Sequence, residues 1–461
     1  MKRTLLSLLL VTSIQCLIAQ NKYTLDSTEL TSRVVKDSLD IPWEIIWGPD
    51  DFIWTTERFG RVSRIDPVSG KQHVLLDISS QVYERSEAGL LGMVLHPEFD
   101  KNPHVFIAYT YQSGSNIRER MVKYNYDGSK LTPLDTLIED IKGNTTHIGC
   151  RLFILPDKTM LMSTGDAQDR PLSQNKSSVV GKILRLNLDG SIPSDNPDPR
   201  SYVWSYGHRN AQGIWRAPNG KIYSSEHGPT TDDELNILEA DRNYGWPTVS
   251  GMCDTPPEQA FCNSNNVVEP LVIWTPTIAP SDIIWYDHPA IPEFKDKLLM
   301  TVLKDKSLIA FGFNTTGDSV ISQKKYLKNE LNRLRDICIS PDGKIYLATN
   351  GSSWSNTRPF THTIVELSNE AYIANSILGL SSTPSIKIGP NPLREGQPLN
   401  FMVQEGVTGD FQLFDLMGRP VLKQKVEGGV NSIDLKTTEG IYLWKVVFDN
   451  GTLAEGKLVV N

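Results

Sequence analysis

The sequence predicts an all-β protein, a six-bladed β-propeller followed by a small C-terminal β-sandwich. Three observations predict it. Short apolar runs punctuated by Gly, Pro, Asn and Asp dominate, and the sustained period of helices is mostly missing. One unit, an apolar strand, a proline-led turn and a second strand, recurs six times between Ile41 and Leu367. After Ser382 the repeat stops, and alternating strands with Gly-marked turns take over.

Taken in order, the chain opens with Lys2 and Arg3, then the apolar run Leu5 to Val11, and a cut is expected after Ala19. This reads as a signal peptide over residues 1–19, too short and too interrupted to span a bilayer. Cys16 would suit a lipid anchor, but Gln15 before it is not the small residue such cleavage prefers. No other segment is a membrane-span candidate, so export is expected, with a secreted or cell-surface destination. The repeats follow as "IIWGPDDFIWTTE", "MVLHPEFDKNPHVFIAY", "RLFILPDKTMLMSTGD", "GIWRAPNGKIYSSEHG", the looser "IIWYDHPAIPEFKDKLLMTVLK" and "DICISPDGKIYLATN". Several continue into a third strand ending at a polar turn, such as "KILRLNLDGS". Strand–turn repeats of this length are the signature of propeller blades around a channel, expected here over residues 30–372. Residues 383–461 read as the separate sandwich.

Composition narrows the function. The 461 residues can bury a large core. A net charge of −8 argues against nucleic acid or an anionic membrane as partner, since both call for a basic face. There is no CxxC, HExxH, GxSxG, Walker or GxGxxG motif, which removes the common zinc-protease, hydrolase, P-loop and Rossmann readings. Cys253 and Cys262 flank the turn-rich "DTPPEQAF", and an oxidising compartment favours a disulfide there. Cys150 and Cys338 sit in apolar strands as expected buried thiols.

Aligning the repeats on the turn proline places the polar residues. His147 lies nine positions before Pro156 and Arg209 nine before Pro218. Arg333 and Arg335 lie eight and six before Pro341, and Glu87 ten before Pro97. Each therefore lies near the start of the first strand of its unit, while Asp166, Glu226–His227 and Lys304 end a second strand. A hairpin brings these ends together, so one rim collects them. His147 beside Asp166 is either a base held by its carboxylate or an ordinary hydrogen-bonded pair. Cations converging on a net-negative protein favour an anionic ligand, against the alternative of salt bridges to acids such as Asp336. "SSEHGPTTDDELN" combines a Gly228–Pro229 turn with Asp232, Asp233 and Glu234, oxygens that suit a hard cation or merely a solvated loop.

"HIGCRL" with "GD", "GHRNAQG", "SEHGPTTDDE", "NYGWP", "PTIAPS", the "LK" of the fifth unit and "NRLRDICISPDG" occur, in this order, as in the soluble quinoprotein glucose/sorbosone dehydrogenases. The resemblance implies a sugar-oxidising propeller that carries pyrroloquinoline quinone (PQQ) and Ca²⁺, takes an aldose and passes electrons to an acceptor the sequence does not name. By the same resemblance His147 is the base, Asp166 its orienting carboxylate and Arg209 the cation beside the quinone oxygen. Asn210 and Thr277 would touch PQQ, with Glu87 near the base, and Lys304, Arg333 and Arg335 would cradle its carboxylates. The carbonyls of Gly228 and Pro229 would ligate Ca²⁺. Glu87 stands where the glucose-oxidising members carry an amide, and Trp274 is displaced by one position from their tryptophan, which puts glucose itself in doubt. The tail, through its "PNP", "DLMGRPV" and "GIYLWKV" segments, resembles the sorting domain of the type IX secretion system. Two other functions compete: a non-catalytic propeller that binds carbohydrate or protein, and a propeller lactonase that would need no quinone.

Overall fold

Proline sets its own φ and has no N–H to give a ladder, so it belongs in the turn between strands. In this computed structural model each proline-led turn closes an antiparallel hairpin. Trp47 pairs with Ile53, Leu95 with Val105, Ile154 with Met160, Arg216 with Ile222, Tyr286 with Lys297 and Ile339 with Ile345. The structure describes residues 21–351, 360–372 and most of 388–460. The expected signal peptide, its cut site and Cys16 lie outside the described residues.

Further strands extend the hairpins into antiparallel sheets. Blades 1 to 5 have four strands each and begin with Pro42–Trp47, Leu90–Leu95, Gly149–Ile154, Ala211–Arg216 and Pro280–Tyr286. Blade 6 begins with Arg333–Ile339, continues through Ile345–Asn350 and Thr363–Ser368, and takes its next strand, Glu29–Lys36, from the N-terminal side of the repeats. That pairing closes the ring. The boundary expected at residue 30 falls inside Glu29–Lys36, and a further strand, Asn21–Thr24, lies on the outer edge of the same sheet. The six first strands contact one another in ring order, blade 6 returning to blade 1.

Apolar clusters glue neighbouring blades. Trp54, Met93, Ile107 and Tyr124 pack between blades 1 and 2. Phe106, Met121, Leu152 and Met160 pack between blades 2 and 3, and Tyr223, Leu235, Ile283 and Met300 between blades 4 and 5. Each fully buried side chain of this size contributes roughly 1.5–3 kcal/mol, so these clusters supply the bulk of the stability.

Inside the ring the first strands meet a buried ion cluster. The guanidinium of Arg151, on blade 3, donates to Glu44 Oε1 of blade 1 at 2.6 Å and to the Gln212 carbonyl of blade 4 at 2.6 Å. It also pairs with Asp336 of blade 6 at 3.0 Å and with Asp282 of blade 5 at 3.5 Å. Its flat face covers Trp43 at 4.3 Å. Three carboxylates share one guanidinium. Burial outweighs the attraction of Arg151 and pushes Glu44 up to about 8, and it raises Asp282 and Asp336 as well.

The loop expected from "DTPPEQAF" is instead a helix, Pro256–Asn265. Thr255 caps it, accepting from Glu258 N while Glu258 reaches back to the Thr255 backbone. Its two prolines fall in the first turn, where no backbone donor is required. The expected Cys253–Cys262 disulfide forms, and Cys150 and Cys338 are buried free thiols.

A second unit spans Glu370–Asn461. A three-stranded sheet including Leu399–Val403 and a four-stranded sheet including Gly440–Phe448 share a core with Phe401, Phe411, Trp444 and Phe448.

The Glu44 carboxyl holds its proton more tightly folded than unfolded, so folding takes up a proton between the ordinary carboxylate range and about pH 8. Its contribution to stability therefore falls as pH rises through that window. Glu44→Gln mimics the protonated form, and its melting temperature relative to the native protein should rise between pH 6 and pH 9. Parallel melting curves across that range would contradict the assignment.

Candidate functional site

The rim where the first strands begin gathers the predicted residues. His147 precedes blade 3 and adopts the left-handed region, φ 57°. Its backbone is fixed from three sides. His147 N donates to Glu87 Oε2 at 2.8 Å, its carbonyl accepts from Ala167 N at 3.2 Å, and Gly165 runs directly beneath. A Cβ at Gly165 would stand 1.8 Å from the His147 oxygen, so only glycine fits.

The imidazole is held at both nitrogens. Nδ1 lies 2.7 Å from Asp166 Oδ1 and Nε2 lies 2.9 Å from Arg209 Nη2. Since Arg209 can only donate, the assigned tautomer has its proton on Nδ1 and its lone pair on Nε2. Asp166 is fully buried. It also accepts from Gln168 N at 2.7 Å and from the Trp246 indole Nε1 at 2.9 Å. Burial alone would raise its pKa, but these donors and His147 outweigh it and hold the carboxyl below its ordinary value.

Arg209 lies with its guanidinium carbon 5.4 Å from the Trp246 ring centre, and it donates from Nη1 to the His227 carbonyl at 2.8 Å. Its buried Nε has no partner among the described residues. Burial lowers its pKa despite the nearby Asp166 and Glu226 carboxylates.

A hydrogen-bonded chain runs from His147 to the cationic side. Glu87 Oε2, which holds His147 N, accepts from Asn210 Nδ2 at 3.5 Å. Asn210 Oδ1 accepts from Gln212 Nε2 at 3.1 Å, and Gln212 Oε1 accepts from Arg335 Nη1 at 3.0 Å. Arg335 is not bridged to Asp336, which faces Arg151 instead. Burial, with Arg333 and Arg151 close by, pushes Arg335 down to about 9. Burial also lowers Arg333, and its guanidinium makes no hydrogen bond or ion pair among the described residues. Two arginines lacking carboxylate partners at one mouth fit an anionic ligand. Lys304 is exposed at the same rim, with Nζ donating to Thr277 Oγ1 at 2.9 Å, and this pair touches neither His147 nor Arg335.

The acidic loop turns out differently from a carboxylate cation site. Asp233 accepts from Gly228 N at 2.8 Å, Ile278 N at 2.6 Å and Ala279 N at 2.7 Å. Glu234 accepts from Gly251 N at 2.9 Å, and Asp232 accepts from Thr275. Asp233 and Glu234 hold backbone amides and Asp232 the Thr275 hydroxyl, and among the described residues no three His, Cys, Asp or Glu side chains are grouped to hold a metal. The carbonyls of Gly228 and Pro229 accept no hydrogen bond among the described residues. Trp274 is buried against Phe311 and offers no stacking surface to a substrate.

Four side chains complete the site beyond those the sequence singled out. Arg58, paired with Glu84, and Trp43 line a hollow of about 150 Å³ with Glu87, His227, Arg333 and Arg335. Arg58 follows the second strand of blade 1, nine positions after Pro49, the repeat position of His227 nine after Pro218, and that phase reaches it. Gln212 links Asn210 to Arg335. Trp246 comes from the "NYGWP" connection outside the repeats. A larger cavity of about 800 Å³ opens at the other end of the channel, where Trp47, Ile154 and Trp215 end their strands. Arg333 and Arg335 line the smaller hollow and not this cavity.

The class defined by this fold and site is a propeller presenting a carboxylate-held histidine beside a cationic mouth. Residues 39–356 match the Glucose / Sorbosone dehydrogenase family, and the chain belongs to it. An aldose sugar dehydrogenase of Escherichia coli is 30% identical over 337 residues, covering 70% of this chain and 90% of its own. Quinoprotein glucose dehydrogenase B of Acinetobacter calcoaceticus is 29% identical over 414 residues, covering 70% and 86%. The PQQ-bound structure of an aldose sugar dehydrogenase from Streptomyces coelicolor superposes with a TM-score of 0.63 at 29% identity, over 74% of this chain and 98% of that one.

Trp246→Phe keeps the ring and removes the donor to Asp166. A hydrogen bond to a charged group is worth roughly 1.5–3 kcal/mol, so a fall in kcat of about tenfold or more is expected. Asp166 should also titrate at higher pH, moving the acid limb of the pH–rate profile upward. An unmoved limb with unchanged kcat would show that the indole only fills space.

Proposed function

We propose that this protein is an exported quinoprotein that oxidises the anomeric hydroxyl of an aldose to the lactone. The observation that carries the reading is the chain of hydrogen bonds joining His147, held by Asp166, to Arg335 at a mouth where Arg333 and Arg335 lack carboxylate partners among the described residues.

PQQ, a tricarboxylate that accepts a hydride, would supply the redox chemistry when bound. Lys304, Arg333 and Arg335 are the residues that would hold its carboxylates, with Thr277, Asn210 and Glu87 alongside. The carbonyls of Gly228 and Pro229 would hold Ca²⁺, a hard cation matched to oxygen donors. The lone pair of His147 Nε2 takes the hydroxyl proton while the carbon-bound hydrogen leaves as hydride. Arg209 Nη2 lies on that lone pair, so the sugar hydroxyl must compete with it. Asp166 stabilises the imidazolium that results, as its buried, donor-rich seat permits. Arg209 then faces the charge that develops on the acceptor.

Purified protein loaded with PQQ and Ca²⁺ should reduce an artificial electron acceptor when given aldoses. His147→Gln should lower kcat by at least about a hundredfold and still bind PQQ. Turnover at the native rate in that variant would reject the assigned base. No turnover on any aldose with PQQ bound would favour a binding propeller.

We further assign residues 383–461 to sorting through type IX secretion, on the resemblance of the tail segments. A chain ending before residue 383 should remain within the cell envelope, whereas the full chain should reach the surface or medium. Equal export of both would remove this assignment.

A further inference from the structure

The family reading leaves open which aldose is taken, and the side of the site opposite the Arg333–Arg335 pair bears on it. Arg170 begins a short 3-10 helix, Arg170–Gln174, four residues after Asp166. Its guanidinium carbon lies 5.3 Å from the centre of the Trp246 ring, and Arg209 lies 5.4 Å from the same ring. That indole donates to Asp166, which holds His147. Arg170 is thus one aromatic ring away from both catalytic partners.

Nothing else claims its charge. Among the described residues its guanidinium makes no hydrogen bond or ion pair, and it is exposed. The neighbouring Asp169 is the obvious partner, yet it pairs with Lys142. Glu87, the other free-standing acid of the rim, is committed to His147 N and Asn210. An arginine resting against an indole is partly pre-ordered, which lowers the entropy lost when it grips a ligand. Its planar donors match the paired oxygens of a carboxylate or phosphate.

Resting on the aldose-oxidising reading, we propose that the substrate is an aldose carrying an anionic substituent, and that Arg170 is the residue that selects it. The cations then divide by side. Arg333 and Arg335 take the charge of the cofactor, while Arg170, beyond Trp246 on the side of Asp166, takes the charge of the sugar. A neutral hexose would leave this guanidinium without a partner and gain nothing from it.

The test compares D-glucuronate and D-glucose 6-phosphate, which separate carboxylate from phosphate, with neutral D-glucose. For the PQQ- and Ca²⁺-loaded protein at low salt, kcat/KM for at least one anionic sugar should exceed that for glucose by about tenfold, the size of one charged hydrogen bond. Arg170→Gln should bring that ratio close to one, and raising the salt should shrink it in the native protein. Calorimetric binding of the same three sugars provides a readout independent of turnover. Tighter binding of an anionic sugar that is lost in Arg170→Gln upholds the inference even if no sugar is oxidised, in which case the aldose-oxidising reading fails instead. Glucose matching both anionic sugars in binding and turnover overturns it, as does a preference that survives in Arg170→Gln.

Discussion

One guanidinium fixes the middle of the ring. Arg151 reaches from blade 3 to Glu44, Gln212, Asp282 and Asp336, which belong to blades 1, 4, 5 and 6. The apolar clusters between blades are worth far more in free energy, and a buried ion cluster is weak evidence for stability. Its geometry matters more than its strength. Five first strands must stand at set heights and rotations for their side chains to meet one arginine. The same strands begin at the mouth, so the heights that satisfy Arg151 also place His147, Asn210 and Arg335 relative to one another. Trp43 joins the two levels, lying 4.3 Å from the Arg151 guanidinium and 5.8 Å from that of Arg335.

Above that plug the site separates its charges by side. Asp166 gathers donors from His147, Gln168 N and Trp246, which keep it ionised in spite of complete burial. Among the described residues Arg335 has only amides and a hydroxyl for hydrogen-bond partners, and burial lowers its pKa. A carboxylate made comfortable next to His147, and cations left short of counter-charge across the mouth, are what the proposed acceptance of a proton and binding of an anionic redox group require. Gln212 binds the two halves together. Its side chain bridges Asn210 and Arg335, and its carbonyl accepts from Arg151.

Much of this was legible because blades repeat. Counting back from the turn proline put His147 and Arg209 at equivalent positions and Arg335 near the start of its strand, and pairing across the hairpin brought Asp166 to His147. The same count reaches Arg58 in blade 1, but nothing in the sequence of "TTERFG" marks it as facing inward. Trp246 was illegible as a site residue because it arrives on a connection outside the repeat, where no phase applies. The ring closure was hidden for a related reason. Glu29–Lys36 lies upstream of the first proline-led hairpin, and only pairing with Thr363–Ser368 assigns it to blade 6. Side-chain choice inside the acidic loop could not be read either, since Asp233 differs from a metal ligand only in which backbone amides surround it.

The central claim is that Arg333 and Arg335, which lack carboxylate partners among the described residues, hold a multiply anionic redox cofactor. It is tested most directly by an absorption titration with PQQ in the presence of Ca²⁺, comparing the native protein with Arg333→Gln, whose native side chain has no partner to lose among the described residues. The account predicts saturable uptake of one PQQ per chain, with affinity falling about tenfold in the variant. No saturable uptake, or equal affinity in the two proteins, would contradict it.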